Sequence, residues 1–166
     1  MDEKQMRVLI AIDDSECSQR VIEQAASGLY PKNSQFLVLH VIAVPSDKHW
    51  QDVGLGVDDE IKARLTLDGE KLVEDAVEFL RPQLAEGAEI SGKIVEGHAA
   101  EQIIAAANEW DANHIMMGTH GRGALGKLVM GSVAQEVLKK APCTVEVVGA
   151  PKAEEKPKPK KMHVLY

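Results

Sequence analysis

The sequence predicts an α/β domain: an open parallel sheet with helices on both faces. Three observations carry that expectation. Short β-branched and aliphatic runs alternate with longer stretches of helical periodicity along the whole chain. The first two runs, RVLIAID at 7–13 and QFLVLHVI at 35–42, are almost continuously apolar, the pattern of strands buried on both faces. A glycine-rich segment, GTHGRGALGKLVMGS at 118–132, then joins an apolar run to an amphipathic stretch. A turn between a strand and a helix is where sheets of this kind hold ligands.

The elements follow in order. Residues 7–13 form the first strand. Residues 16–29 place Cys17, Val21, Ile22, Ala25, Ala26 and Leu29 at helical spacing, with Ser15 as N-cap, and Tyr30-Pro31-Lys32-Asn33 ends that helix. Residues 35–42 form the second strand, and 43–57 a long loop with Pro45, Gly54 and Gly56. Residues 58–84 read as a helix with Ile61, Leu65, Leu72, Ala76, Phe79, Leu80 and Leu84 on its apolar face, kinked or ended by Pro82. Residues 89–95 alternate Ile90, Gly92 and Ile94 with polar neighbours, as an edge strand does. Residues 99–110 form a third helix, 114–117 the fourth strand, 132–140 the last helix and 144–148 the fifth strand. Asp13 and Asp14 end strand one, Val41 lies near the end of strand two, and Gly118 follows strand four. If strands one and four are neighbours, these residues share one crevice.

Length and composition narrow the function classes. A chain of 166 residues suffices for one domain with a sizeable core. Its net charge of −7 argues against general nucleic-acid binding. No apolar run approaches a membrane span, and the charged start MDEKQ is unlike a secretory signal, so a cytoplasmic location is expected. Cys17 and Cys143 stand far apart, without a C-x-x-C pair, as two inert thiols in a reducing compartment. Residues 152–161 hold five lysines and two glutamates, a local balance of +3 that leaves the remainder at −10. That composition is a linker's. The expected division is a folded domain over 1–149 and a Lys/Pro-rich tail over 150–166.

The chemistry concentrates in 118–132. Glycine permits positive φ and close backbone approach. The first turn of the following helix presents unpaired N–H groups and a partial positive charge, which together make an anion site. Two better-known fingerprints overlap the segment and fail. Gly121 to Gly126 spells G-x-G-x-x-G, but it follows the fourth strand rather than the first, and no acidic residue stands at the right distance outside a strand. Gly121 to Lys127 spells G-x-x-x-x-G-K, but Leu128 occupies the place of the magnesium-binding hydroxyl.

The spacing Gly118-x-x-Gly121, nine residues, Gly131-Ser132 resembles the nucleotide motif of the universal stress protein family, G-2x-G-9x-G-[ST]. The segments VLIAIDDSECSQRVIEQA, VLHVIAVP, GHAAEQIIAAANEW and KKAPCTVEVV also resemble that family, in order, over residues 6–149. The resemblance implies a flavodoxin-like sheet of order 3-2-1-4-5. It implies a homodimer joined through strand five, Thr144 to Val148, and ATP as ligand, with Mg2+ or Mn2+ held mainly by the phosphates. Carried over by position, Ile12 and Asp13 lie against the adenosine, Val41 offers backbone groups to adenine, and Met117 and Gly118 flank the ribose. His120, Gly121, Gly131, Ser132 and Val133 surround the phosphates, and Arg122 and Lys127 are ready phosphate partners by their own charge. Asp14 stands where the family often has glycine, Asn113 replaces a frequent aspartate, and Thr144 a frequent proline. Asp14 either weakens binding of a polyanion or helps hold a divalent ion.

Plainer readings stand beside these. The three glycines serve turns equally well, Asp13 serves as a cap, and Arg122 and Lys127 as solvated loop charges. His40, His49, His98 and His114 show no metal spacing and are expected to be structural. Trp50 is expected to pack on the domain or a partner. No catalytic constellation emerges, and no metal site. Three functions remain: an ATP-binding regulatory or protective module, a slow ATP hydrolase, or a dimeric interaction protein whose tail recruits a partner. For the tail, the apolar end MHVLY at 162–166 suggests docking on the domain as an extended peptide, against a disordered terminus as the alternative.

Overall fold

Alternation along the strands decides how the layers sit. Val8, Ile10, Ile12, Phe36, Val38 and Met116 point to one face of the sheet, and Leu9, Ala11, Leu37, Leu39, Ile115 and Met117 to the other. Both sets are buried, so both faces must be covered. The structure, a computed structural model, describes residues 5–43, 58–120 and 130–149. In chain order the elements are β1 (Arg7–Ile12), α1 (Glu16–Ser27), β2 (Gln35–Ile42), α2 (Asp59–Leu80), β3 (Glu89–Glu96), α3 (Ala99–Glu109), β4 (His114–Gly118), α4 (Ser132–Lys140) and β5 (Thr144–Val148).

The five strands are all parallel in the order β3-β2-β1-β4-β5. Val21 and Ala25 of α1, with Val73, Ala76, Val77 and Leu80 of α2, pack on the first face. Ala100, Ile103, Ala106 and Ala107 of α3, with Ala134 and Val137 of α4, pack on the second. The chain steps from β1 to β2 to β3 in one direction, then returns across the sheet to β4 and β5. Crossovers of one hand then require the helices to change face at that reversal, and they do.

Pro82 ends the second helix as expected, and two other details differ from the periodicity reading. The second helix stops at Leu80 and continues as a 3-10 turn, Arg81–Gln83, because Pro82 lacks an amide and its ring crowds the preceding turn. Leu29 is fully exposed: α1 ends at Ser27 and the extended backbone of Gly28 carries the chain off the helical face. Ile61 and Phe79 are also largely exposed, since the stripe that meets the sheet runs through Val73, Ala76, Val77 and Leu80. As the alternation in 89–95 suggests, β3 is an edge strand, paired with β2 along its whole length.

Candidate functional site

The reversal of strand order puts β1 beside β4, and a cavity of about 630 Å3 opens at the carboxyl ends of β1, β2 and β4. Small-molecule sites commonly measure roughly 300–1,000 Å3. Ile12, Asp13, Asp14, Val41, Met117, Gly118, His120, Gly131, Ser132 and Val133 all line it. These are ten of the twelve residues named from the sequence. Gly121 and Arg122 lie outside the described residues, as do Lys127, His49, Trp50 and the 150–166 tail.

One side of the cavity is the entrance of α1, which carries a side-chain cap and its own carboxylates. Ser15 caps the helix by accepting from the Ser18 amide at 3.3 Å. Asp13 Oδ1 accepts from the Ser15 amide at 2.9 Å and from the Ser18 hydroxyl at 2.8 Å. The Ser18 oxygen in turn accepts from the Asp13 amide at 2.8 Å. Asp13 is therefore both a capping group and a wall of the cavity. Glu16 adds a further carboxylate to the first turn, so this positive helix end already has its anions.

The opposite side is the entrance of α4, which is built differently. Its N-cap is Gly131, with no side-chain cap, and its first turn has no acidic residue. The first turns of α1, α2 and α3 each carry at least one. The Gly131 amide donates to the Thr119 carbonyl at 2.7 Å, and the helical ladder begins at Gln135, which donates to the Gly131 carbonyl. The amides of Ser132, Val133 and Ala134 have no acceptor among the described residues.

Close approach explains the two described glycines of the motif. A Cβ on Gly118 would come within 2.7 Å of the Cys17 Cβ, and one on Gly131 within 3.0 Å of the Thr119 carbonyl oxygen. Neither has positive φ; among the described glycines that backbone occurs at Gly87 and Gly97. Gly118 thus lets α1 press against the end of β4, and Gly131 lets α4 begin directly against Thr119.

Thr119 and Ser18 are wall residues that the sequence reading missed. The Thr119 amide donates to the Val148 carbonyl at 3.0 Å, its carbonyl holds Gly131, and its hydroxyl lies 2.9 Å from His120 Nδ1. It ties β5, the turn after β4 and α4 together. The signal for Ser18 was its spacing from Ser15, three residues on, which is the reach of a cap. His40, expected to be structural, also lines the cavity, with Nδ1 held 2.9 Å from the Ile12 carbonyl oxygen. Leu39, Leu65 and Ile103 supply apolar wall. The lining thus offers apolar surface toward β2 and α3, and donors toward α4.

On β5, Glu146 Oε2 lies 3.0 Å from His114 Nε2 on β4 of the same chain. Residues 114 and 116 share the face of 146, because Met116 pairs in register with Glu146. Tyr30 is near enough that burial, and then the Glu146 charge, push its phenol pKa up. Cys17 and Cys143 are free thiols, and burial pushes the Cys143 pKa up, which keeps it protonated and unreactive. Among the described residues no cluster of metal-ligating side chains occurs, and no helix is long and apolar enough to cross a membrane.

Comparison with known proteins gives one family. Residues 5–149 match the sequence model of the Universal stress protein family. A universal stress protein of Thermus aquaticus is 30% identical over 141 residues, covering 85% of this chain and 96% of its own. The solved structure of MJ0577, a universal stress protein of Methanocaldococcus jannaschii, superposes with a TM-score of 0.75 at 25% identity, over 89% of this chain and 97% of that one. An Arabidopsis thaliana family member solved with AMP bound superposes with a TM-score of 0.62 over 93% and 97% of the two chains; at 18% identity that likeness is one of fold.

Proposed function

The chain belongs to the universal stress protein family, and from that premise we propose that it is an ATP-binding regulatory or protective protein of the stress response, acting as a cytoplasmic homodimer. The observation that carries the reading is the asymmetry of the cavity. An apolar wall suits adenine, Asp13 stands fixed near where a ribose would lie, and the first turn of α4 has three amides without an acceptor, and no acidic residue, among the described residues. A nucleotide has those same parts in that order. The AMP held by the Arabidopsis protein is a ligand of this class. The residues assigned to ATP are the twelve named from the sequence, with Ser18 and Thr119 as their supports. A divalent ion, where present, is carried mainly by the phosphates.

Micromolar affinity is expected, about −8 kcal/mol. Several charge-assisted hydrogen bonds of roughly 1.5–3 kcal/mol each, with adenine burial, reach that value after association costs. Calorimetry with ATP, together with mass spectrometry of small molecules released on heat denaturation, tests it. No heat and no bound nucleotide would leave the reading without support. Hydrolysis is expected to be slow or absent, with phosphate release below about 1 per second against a typical enzyme turnover of about 10 per second.

The dimer is proposed through β5, the edge strand beside β4, whose residues are β-branched apart from Glu146. Light scattering at micromolar concentration is expected to give twice the chain mass. Val147→Pro, which removes a ladder donor, is expected to give the monomer. A wild-type monomer would count against this assembly.

A further inference from the structure

Thr119 uses every polar group it has. Its amide donates to the Val148 carbonyl at 3.0 Å, and its carbonyl accepts from the Gly131 amide at 2.7 Å. The residue is thus pinned between β5 and the start of α4. Its methyl is directed toward Gly149, where a Cβ would sit 4.0 Å from the Thr119 Cγ2. A β-branched side chain has one stiff torsion, so placing the methyl places the hydroxyl. That hydroxyl stands between Cys17 Sγ at 3.9 Å and His120 Nδ1 at 2.9 Å.

The chemistry of these neighbours sets the direction of the bonds. A hydroxyl has one proton to give, an unprotonated imidazole nitrogen is a good acceptor, and a thiol sulfur is a weak one. With the proton on Nδ1, the ring would donate to Thr119, and the threonine proton would have only the Cys17 sulfur to meet among the described residues. With the proton on Nε2, the Thr119 hydroxyl donates to Nδ1, and the thiol donates weakly to the hydroxyl oxygen. The second arrangement uses all three groups in their stronger sense. In it the neutral ring carries its N–H at Nε2.

His120 lines the cavity together with Gly131, Ser132 and Val133. Ionised phosphate oxygens accept hydrogen bonds, so a ring that offers N–H suits them and a ring that offers a lone pair does not. We propose that Thr119 is a positioning residue, whose hydroxyl holds His120 as an Nε2–H donor to the phosphates of the nucleotide. The inference rests on the nucleotide reading above and adds how one donor of the phosphate seat is set. Thr119 acts through the ring, and the adenosine wall of β1, β2 and β4 does not depend on it.

The test uses the full chain with Thr119→Val, Thr119→Ser, His120→Ala and the double variant Thr119→Val/His120→Ala. Long-range 1H–15N spectra of the free wild-type chain, recorded where the ring is neutral, should show His120 protonated at Nε2 and Nδ1 as a hydrogen-bonded acceptor. In Thr119→Val the Nδ1 signal should move to that of a nitrogen without a donor, and Thr119→Ser should restore it. Calorimetry should give ATP affinity about fivefold weaker in Thr119→Val and about tenfold weaker in His120→Ala, with adenosine affinity within about twofold of wild type in both. Thr119→Ser should bind ATP as wild type does. In the His120→Ala background Thr119→Val should have no further effect, whereas a merely structural threonine would weaken binding there as well. A wild-type ring protonated at Nδ1, or equal ATP affinities in wild type and Thr119→Val, would overturn the inference and leave the nucleotide reading intact. A wild-type chain that binds no ATP would remove both.

Discussion

Two helices begin at the rim of the same cavity, and they begin in opposite ways. The entrance of α1 is partly closed by its own chain: the Ser15 hydroxyl takes the Ser18 amide, Asp13 takes the Ser15 amide and the Ser18 hydroxyl, and the Glu16 carboxylate stands in the first turn. The entrance of α4 has a glycine cap, no acidic first turn and three amides without a described acceptor. The difference separates structure from function within one fold. Both ends favour an anion; the first holds its own in Asp13 and Glu16, and the second has none among the described residues. That α4 carries Lys139 and Lys140 in its last turn shows that its dipole is compensated at the far end.

Substitutions at the two entrances should therefore have unlike effects. The largest is expected from Gly131→Asp. The new Cβ must displace a contact at 3.0 Å, and the carboxylate caps α4 itself while repelling phosphate. ATP affinity should fall by about a hundredfold or more, roughly 3 kcal/mol, in a calorimetric titration. Equal affinities would refute the assignment of α4 as the phosphate seat. Ser15→Ala acts on the other entrance and should show up in stability: a loss of about 1 kcal/mol in denaturant unfolding, with ATP affinity nearly unchanged. A large loss of affinity without a loss of stability would mean that α1, not α4, carries the ligand. Ser132→Ala is the smallest change. Ser132 is exposed and caps nothing, so unfolding should be unaffected, while ATP affinity should weaken by about 0.5–1.5 kcal/mol for one lost hydrogen bond.

This contrast was only half legible in the sequence. The buried strands were legible because a strand covered on both faces leaves an unbroken apolar run, as in VLIAI and FLVL. The sheet order came from resemblance, since alternation says which face a residue takes but not which strand lies beside it. The pairing of His114 with Glu146 was missed for that reason: it depends on the β4–β5 register, in which Met116 lies opposite Glu146. Leu29 was misjudged because helical periodicity continues past the point where Gly28 leaves the helix. Gly118 and Gly131 were singled out from the sequence and line the cavity, but what they do locally was not readable. Their role is to admit Cys17 and Thr119 as close neighbours, and a sequence does not display neighbours. Thr119 was overlooked between Gly118 and His120 because its importance lies in its backbone, which any residue has.

The central claim is that the first turn of α4 is left open for the phosphates. Amide hydrogen exchange at Ser132, Val133 and Ala134, measured with and without saturating ATP, tests it most directly. Amides with no acceptor among the described residues are expected to exchange rapidly in the free chain, and a bound phosphate should slow them together, while the Ser18 amide, already held by the Ser15 cap, should change little. Exchange at 132–134 that remains as fast under saturating ATP as in the free chain would contradict the account.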